Sequence, residues 1–179
     1  RVWGNRFSYT GPNGISFQPY IGGPAYVFRN LVFNCNEYTL KDRYKSAGAV
    51  LVHNTFVAFG YGPTPVPEHT FARNNLFISR KGPALEYHIE DFLRAPCTLD
   101  LDHNGYNEAL AGNGWAGPDA KKNKPAHKAK PLAEFQKMTG LEKNGLALTA
   151  AECFKAALPS EEQIQAVVND WSGRPHPDL

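Results

Sequence analysis

Apolar and polar positions in this chain repeat around asparagine. In Val50-Leu51-Val52-His53-Asn54-Thr55-Phe56-Val57, with Asn54 as position zero, an apolar residue stands three places before it and another two places after it. Aligning Asn5, Asn30, Asn74 and Asn104 with Asn54 keeps position minus three apolar (Val2, Val27, Phe71, Leu101) and position plus two apolar (Phe7, Val32, Leu76, Tyr106). These asparagines fall 25, 24, 20 and 30 residues apart, near the length of one solenoid coil. The pattern predicts a short strand, a sharp bend at Asn and a second short strand, once per coil. Asn tolerates the left-handed backbone that such a bend needs, and its amide both donates and accepts. Stacked coils would pile these amides into a ladder beside a continuous apolar core.

Other segments fit the same plan. Ile15 and Phe17 alternate with Ser16 and Gln18, a period of two that buries one face and wets the other, and Tyr38 to Lys41 is expected to stack on that strand. Ala84 to His88 reads as another such strand, and the proline-rich run from Gly60 to Pro67 as an exposed loop. The domain plan that follows is coils over residues 1–110, a basic Gly/Pro/Lys-rich linker over 111–131 and a helical tail over 132–179. In the tail, Leu132, Phe135 and Met138 share one helical face that Gly140 ends. Thr149 with Glu152 and Ser160 with Gln163 are capping boxes, and Ile164, Val167, Val168 and Trp171 form one apolar stripe.

The stretches Asn13 to Pro19, Gly22 to Asn30 and Val50 to Thr55 resemble the right-handed parallel β-helix repeat proteins of the pectate-lyase-like superfamily. The resemblance covers about residues 1–107. It implies an all-β fold: a right-handed parallel β-helix, a single-stranded solenoid of about five coils, followed by a short helical C-terminal tail. It implies less about activity, because the same scaffold carries lyases, hydrolases, esterases, phage tailspikes and catalytically silent members. A solenoid opening at Arg1 would leave a sheet edge bare, so the sequence is expected to be an excerpt of a longer chain.

Composition narrows the partners. A formal net charge of +2, without a basic stripe interleaved with aromatics, gives no reason to expect nucleic acid. No apolar run approaches a membrane span, so no membrane partner is expected either. Cys35, Cys97 and Cys153 lack metal or disulfide spacing and read as small hydrophobes. The expected partner is a polysaccharide, an acidic glycan first, and the expected location, by resemblance, is secreted or periplasmic.

On this scaffold acidic polysaccharides are commonly cleaved by β-elimination, with lysine or arginine as the base in the relatives. The reaction needs a cation beside the uronate carboxylate, a base for the C5 proton and an acid for the leaving oxygen. The run Leu40-Lys41-Asp42-Arg43-Tyr44-Lys45 concentrates such groups at the end of a wet strand. The catalytic candidates are therefore Lys41 or Arg43 as base and His53 or Tyr44 as acid. Gly4, Arg29, His53, Arg73 and His103 precede the ladder asparagines, and four basic or protonatable side chains in one column, about 4.8 Å apart, read first as an outer column whose stems cover apolar surface and second as a row that tracks an anionic polymer. Arg29, Arg73, Gln18 and Tyr44 are the substrate-binding candidates. Exposed aromatics such as Trp3, Tyr20, Tyr26, Phe28, Tyr61 and Trp115 would stack on sugar rings. The run from Asp100 to Gly105 opens like a calcium loop but lacks the closing carboxylate at Ala111, so no cofactor is assigned; weak Ca2+ binding by Asp100 and Asp102 is the one cation expectation. Two alternatives stand beside the lyase: a non-catalytic glycan-binding or structural module, and a β-helix glycoside hydrolase drawing on Asp42, Glu86, Glu90, Asp91, Asp100 and Asp102.

Overall fold

A computed structural model describes residues 1–17, 24–35, 37–42, 48–63, 69–88, 99–108, 110–113 and 127–169. The expectations placed on Gln18, Tyr20, Arg43, Tyr44, Thr64 to Pro67, Glu90, Asp91, Cys97, Trp115 and Trp171 lie outside the described residues.

The chain folds as a parallel β-solenoid. The first sheet stacks β1 (Val2–Trp3), β4 (Ala25–Phe28), β7 (Ala49–Val52), β9 (Phe71–Arg73) and β12 (Asp100–Asp102) in chain order. The second stacks β2 (Arg6–Ser8), β5 (Leu31–Cys35), β8 (Thr55–Ala58), β10 (Leu76–Ile78), β13 (Gly105–Tyr106) and β16 (Leu146–Ala147). The third side is discontinuous. β3 (Asn13–Phe17) pairs with β6 (Tyr38–Asp42), β11 (Leu85–His88) pairs with β14 (Leu110–Asn113), and a single bridge from Tyr38 to Tyr61 continues the first pair. These pairings are parallel; among the described strands only β15 (His127–Lys130) runs antiparallel, against β14. The solenoid amounts to about three turns, fewer than the five coils expected, although five strands stack in its first sheet.

Each corner between the first and second sheets is made by a residue with positive φ followed by a ladder asparagine. The corner residues are Gly4, Arg29, His53, Asn74 and His103, with φ of 67°, 52°, 56°, 53° and 58°. The fourth rung differs from the sequence expectation. Val50 pairs with Phe71 and Thr55 with Leu76, so Asn75, not Asn74, occupies the ladder, and every position of that coil moves by one. Ala72 and Phe77 take the two apolar columns in place of Phe71 and Leu76, and the ladder spacing becomes 25, 24, 21 and 29 residues. The slip matters because side chains alternate sides in a strand, so Phe71 and Leu76 turn outward.

The core is two columns of stacked side chains. One runs Val27, Leu51, Ala72, Leu101; the other runs Val32, Phe56, Phe77, Tyr106, all buried. Phe56 and Phe77 are parallel within 3° at 5.6 Å between ring centres, and Phe77 and Tyr106 follow at 5.2 Å. In-register parallel strands put like side chains one strand spacing apart, which favours such offset stacks.

Beside the columns, the asparagine amides bond in one direction. The backbone N–H and Nδ2 of Asn30 both donate to Asn54 Oδ1 (3.0 and 3.1 Å), those of Asn54 to Asn75 Oδ1 (2.9 Å each) and those of Asn75 to Asn104 Oδ1 (2.9 Å each). The second Nδ2 hydrogen ties back to the preceding coil, at the carbonyls of Val2, Val27, Leu51 and Ala72 in turn. Satisfying both donors of every buried amide is what makes this polar column tolerable inside an apolar core.

The tail closes the far end. Helix α1 (Leu132–Thr139) buries Leu132 and Phe135 and stops at Gly140, whose φ of 72° and N–H bond to the Gln136 carbonyl make a left-handed cap. Met138, expected on the same face, is instead 46% exposed. Thr149 and Glu152 form both bonds of the capping box at α2 (Ala150–Cys153). Ser160 and Gln163 form both bonds of theirs at α3 (Glu161–Asn169), where Ile164 is buried.

Candidate functional site

Outward positions of the first sheet form two rows. One reads Trp3, Phe28, Val52, Arg73, Asp102 and the other Tyr26, Val50, Phe71, Asp100, with Arg1 preceding Tyr26. The early coils are thus aromatic and basic on this face, and the late coils end in carboxylates. Trp3 is 70% exposed and Tyr26 37%. Tyr26 lies 6.0 Å from Phe28, and the Arg1 guanidinium sits 5.8 Å from the centre of the Tyr26 ring. Together with Arg29 and His53 these residues line a cleft of about 560 Å³.

His53 also opens a shallower groove of about 320 Å³ that follows the corner past Asn74 and His103 to Leu148. The backbone explains this arrangement. A left-handed residue at each corner throws its side chain outward, so the column before the ladder is solvent-facing by construction. The sequence expectation put Arg73 in that column. The one-residue shift of the fourth coil gives the place to Asn74 and moves Arg73 to the outward face of β9, where it lies 4.5 Å over the Phe71 ring and pairs with Asp100 Oδ1 at 2.5 Å.

Of the other expected site residues, Arg29 and His53 meet at the aromatic cleft. Lys41 does not join them. It stands on β6, across from Ser16, with its ammonium 5.8 Å from the Tyr38 ring. Gln18, Arg43 and Tyr44 lie outside the described residues. Arg1 was not singled out from the sequence, though its outward parity with Trp3, two residues on, was a usable signal.

The carboxylates near this face are engaged. Asp102 accepts from the Asn144 N–H at 2.7 Å, the Asn144 amide at 2.9 Å and the His103 N–H at 2.9 Å, and it pairs with His103 Nδ1 at 3.2 Å. Partial burial pushes its carboxyl up, but the bonds from Asn144 and His103 outweigh this and hold it below the ordinary value. With Asp100 on Arg73, the two residues expected to attract Ca2+ are held by protein partners. Among the described residues, no group of three or more His, Cys, Asp or Glu side chains is placed to hold a metal ion. Glu86, a hydrolase candidate, is buried.

One ionisable site was not legible in the sequence. Glu142 is fully buried and takes the end of the ladder: its Oε1 accepts from Asn104 Nδ2 and from the Tyr106 hydroxyl, both at 2.6 Å, and its Oε2 accepts from the Asn104 N–H at 3.2 Å. Gly145 occupies the next ladder position, and a Cβ there would fall 2.8 Å from Glu142 Oε2, so the missing side chain is what admits the carboxylate. Burial pushes the Glu142 carboxyl up despite these bonds. Burial, then the neighbouring Glu142 charge, pushes the Tyr106 phenol well above its ordinary value. The pair closes the core, remote in role from any solvent-facing chemistry.

Compared with family models, curated proteins and solved structures, the chain matches none at a significant level. The likeness to the pectate-lyase-like superfamily therefore reaches as far as the parallel solenoid.

Proposed function

We propose that this solenoid binds an anionic polysaccharide along the outward face of its first sheet. The observation that carries the reading is the cleft itself: Trp3 and Tyr26 are exposed aromatic platforms, bordered by Arg1, Arg29 and His53 and continuous with the corner groove. Aromatic faces suit the apolar faces of pyranose rings, and guanidinium groups suit carboxylates bidentately. The reading carries with it the secreted or periplasmic location.

Binding without cleavage is the form of this reading that we take, with the lyase as its alternative. β-Elimination needs a base and an acid beside the same sugar, and Lys41 and His53 belong to different sheets with no described contact. The test is affinity electrophoresis of the full chain in gels containing polygalacturonate, alginate or a neutral glucan, with Trp3→Ala and Arg29→Asn alongside. Asn keeps the left-handed corner at position 29, so that variant removes charge without breaking the turn. Retardation by the uronate gels that either substitution weakens supports the reading. Equal migration in all gels overturns it. A rise in ultraviolet absorbance from unsaturated uronate in the same mixtures would restore the lyase.

A further inference from the structure

The outward face of the second sheet is only partly covered by the tail. From Phe154 to Pro159 the chain crosses that face without regular structure. It is fastened at its end, where the Arg80 guanidinium donates to the Pro159 carbonyl and Lys81 pairs with Glu161 at 2.6 Å. Between this segment and strands β2, β5 and β8 lies a cleft of about 690 Å³, within the range of small-molecule sites. Apolar side chains stand on both sides, Leu31, Phe33 and Val57 on the sheet and Phe154 and Leu158 on the segment, with Tyr9 and Gln163 adding polar groups to the lining.

Two polar groups in the cleft have no polar partner among the described residues. Asn34 sits at a bulge between Phe33 and Cys35, with φ of 55°, and is only 4% exposed; its side-chain amide makes no hydrogen bond to any described residue. Arg6 lies 5.0 Å over the Phe33 ring and forms no hydrogen bond or ion pair with a described residue. Lys155 adds a second cation, and no carboxylate is among the described residues lining the cleft.

We propose that this cleft binds a small monocarboxylate with an apolar body. Arg6 and the Asn34 amide N–H take the carboxylate, and Phe33, Val57 and Leu158 enclose the body. A uronic acid offers the same carboxylate on a polar ring, which the apolar walls disfavour. The site is on a different sheet from the glycan face and stands independently of it.

The experiment is an NMR titration of the isotopically labelled full chain with phenylacetate, galacturonate and benzyl alcohol as probes. Phenylacetate should give saturable shifts at Phe33, Asn34 and Leu158, with the other two probes binding about tenfold more weakly or less. Arg6→Gln should weaken phenylacetate roughly tenfold to a hundredfold, the range for a lost hydrogen bond to a charged group. Asn34→Asp, which tolerates the same φ and repels the acid, should abolish binding, and Trp3→Ala should leave it unchanged. Absence of saturation by phenylacetate would overturn the proposal. So would equal binding of galacturonate or benzyl alcohol, or unchanged affinity in Arg6→Gln, whose side chain is exposed on an edge strand.

Discussion

The two ends of the asparagine ladder are unlike. At the first rung Asn5 is exposed, and its Oδ1 accepts from no described residue, while its own N–H and Nδ2 donate to Asn30 Oδ1 at 3.0 and 3.1 Å. At the last rung Asn104 is buried and both its donors end on the Glu142 carboxylate. The difference follows from direction. Each backbone N–H and one Nδ2 hydrogen point toward the next coil, so along that line the column presents acceptors at one end and donors at the other, much as a helix does. The buried donors of Asn104 need an anion, and a carboxylate offers enough lone pairs to take both and the Tyr106 hydroxyl as well.

Breaking the column in its middle should cost most. Asn54→Ala removes two bonds accepted from Asn30 and two donated to Val27 and Asn75, all buried, and is expected to destabilise the chain by about 4 kcal/mol in urea unfolding. Next comes the capped end. Glu142→Ala takes the acceptor from the Asn104 N–H, from one Asn104 Nδ2 hydrogen and from the Tyr106 hydroxyl inside the core, and a loss of about 3 kcal/mol is expected by the same measurement.

The same residue should give stability a pH dependence. Burial holds the Glu142 carboxyl above its unfolded value, so the folded chain binds that proton more tightly. Its contribution is complete below the ordinary carboxylate range and is lost as pH rises through the raised value. Thermal unfolding followed across the acid range should show this slope in the native chain and a flatter one in Glu142→Gln. Identical slopes would remove Glu142 as its source. The smallest effect belongs to the open end, where Asn5→Ala should change stability by under about 1 kcal/mol because water already competes for its bonds. A loss there matching Asn54→Ala would erase the contrast between the ends.

Much of this architecture was legible in the chain because a stacked coil repeats its requirements. Asn5, Asn30, Asn54 and Asn104 could be placed from spacing and from flanking apolar positions alone. The fourth coil misled for a physical reason. Arg73-Asn74-Asn75 offers two asparagines, and the wrong one brings Phe71 and Leu76 into the core columns, where bulk is ordinarily the better guess. The true register places small Ala72 in one column and Phe77 in the other, completing an aromatic stack that only neighbours in space can reveal. Glu142 was invisible for a different reason. It belongs to no coil, lies 38 residues from Asn104, and answers a need that arises only where the repetition stops. The candidate site was half legible: Arg29, His53 and the exposed aromatics converge, but the grouping with Lys41 followed chain proximity to a charged run, and Lys41 stands on β6, on another side of the solenoid.

The left-handed corners separate two jobs that most backbones combine. The amide that follows each corner holds one coil to the next, while the corner side chain, at Arg29, His53, Asn74 or His103, takes no part in that bonding and is exposed. Such a row can be rewritten among the residues that accept a left-handed corner, with the cohesion of the stack left standing. In this molecule the corner column is a line of text, and the ladder behind it is the page.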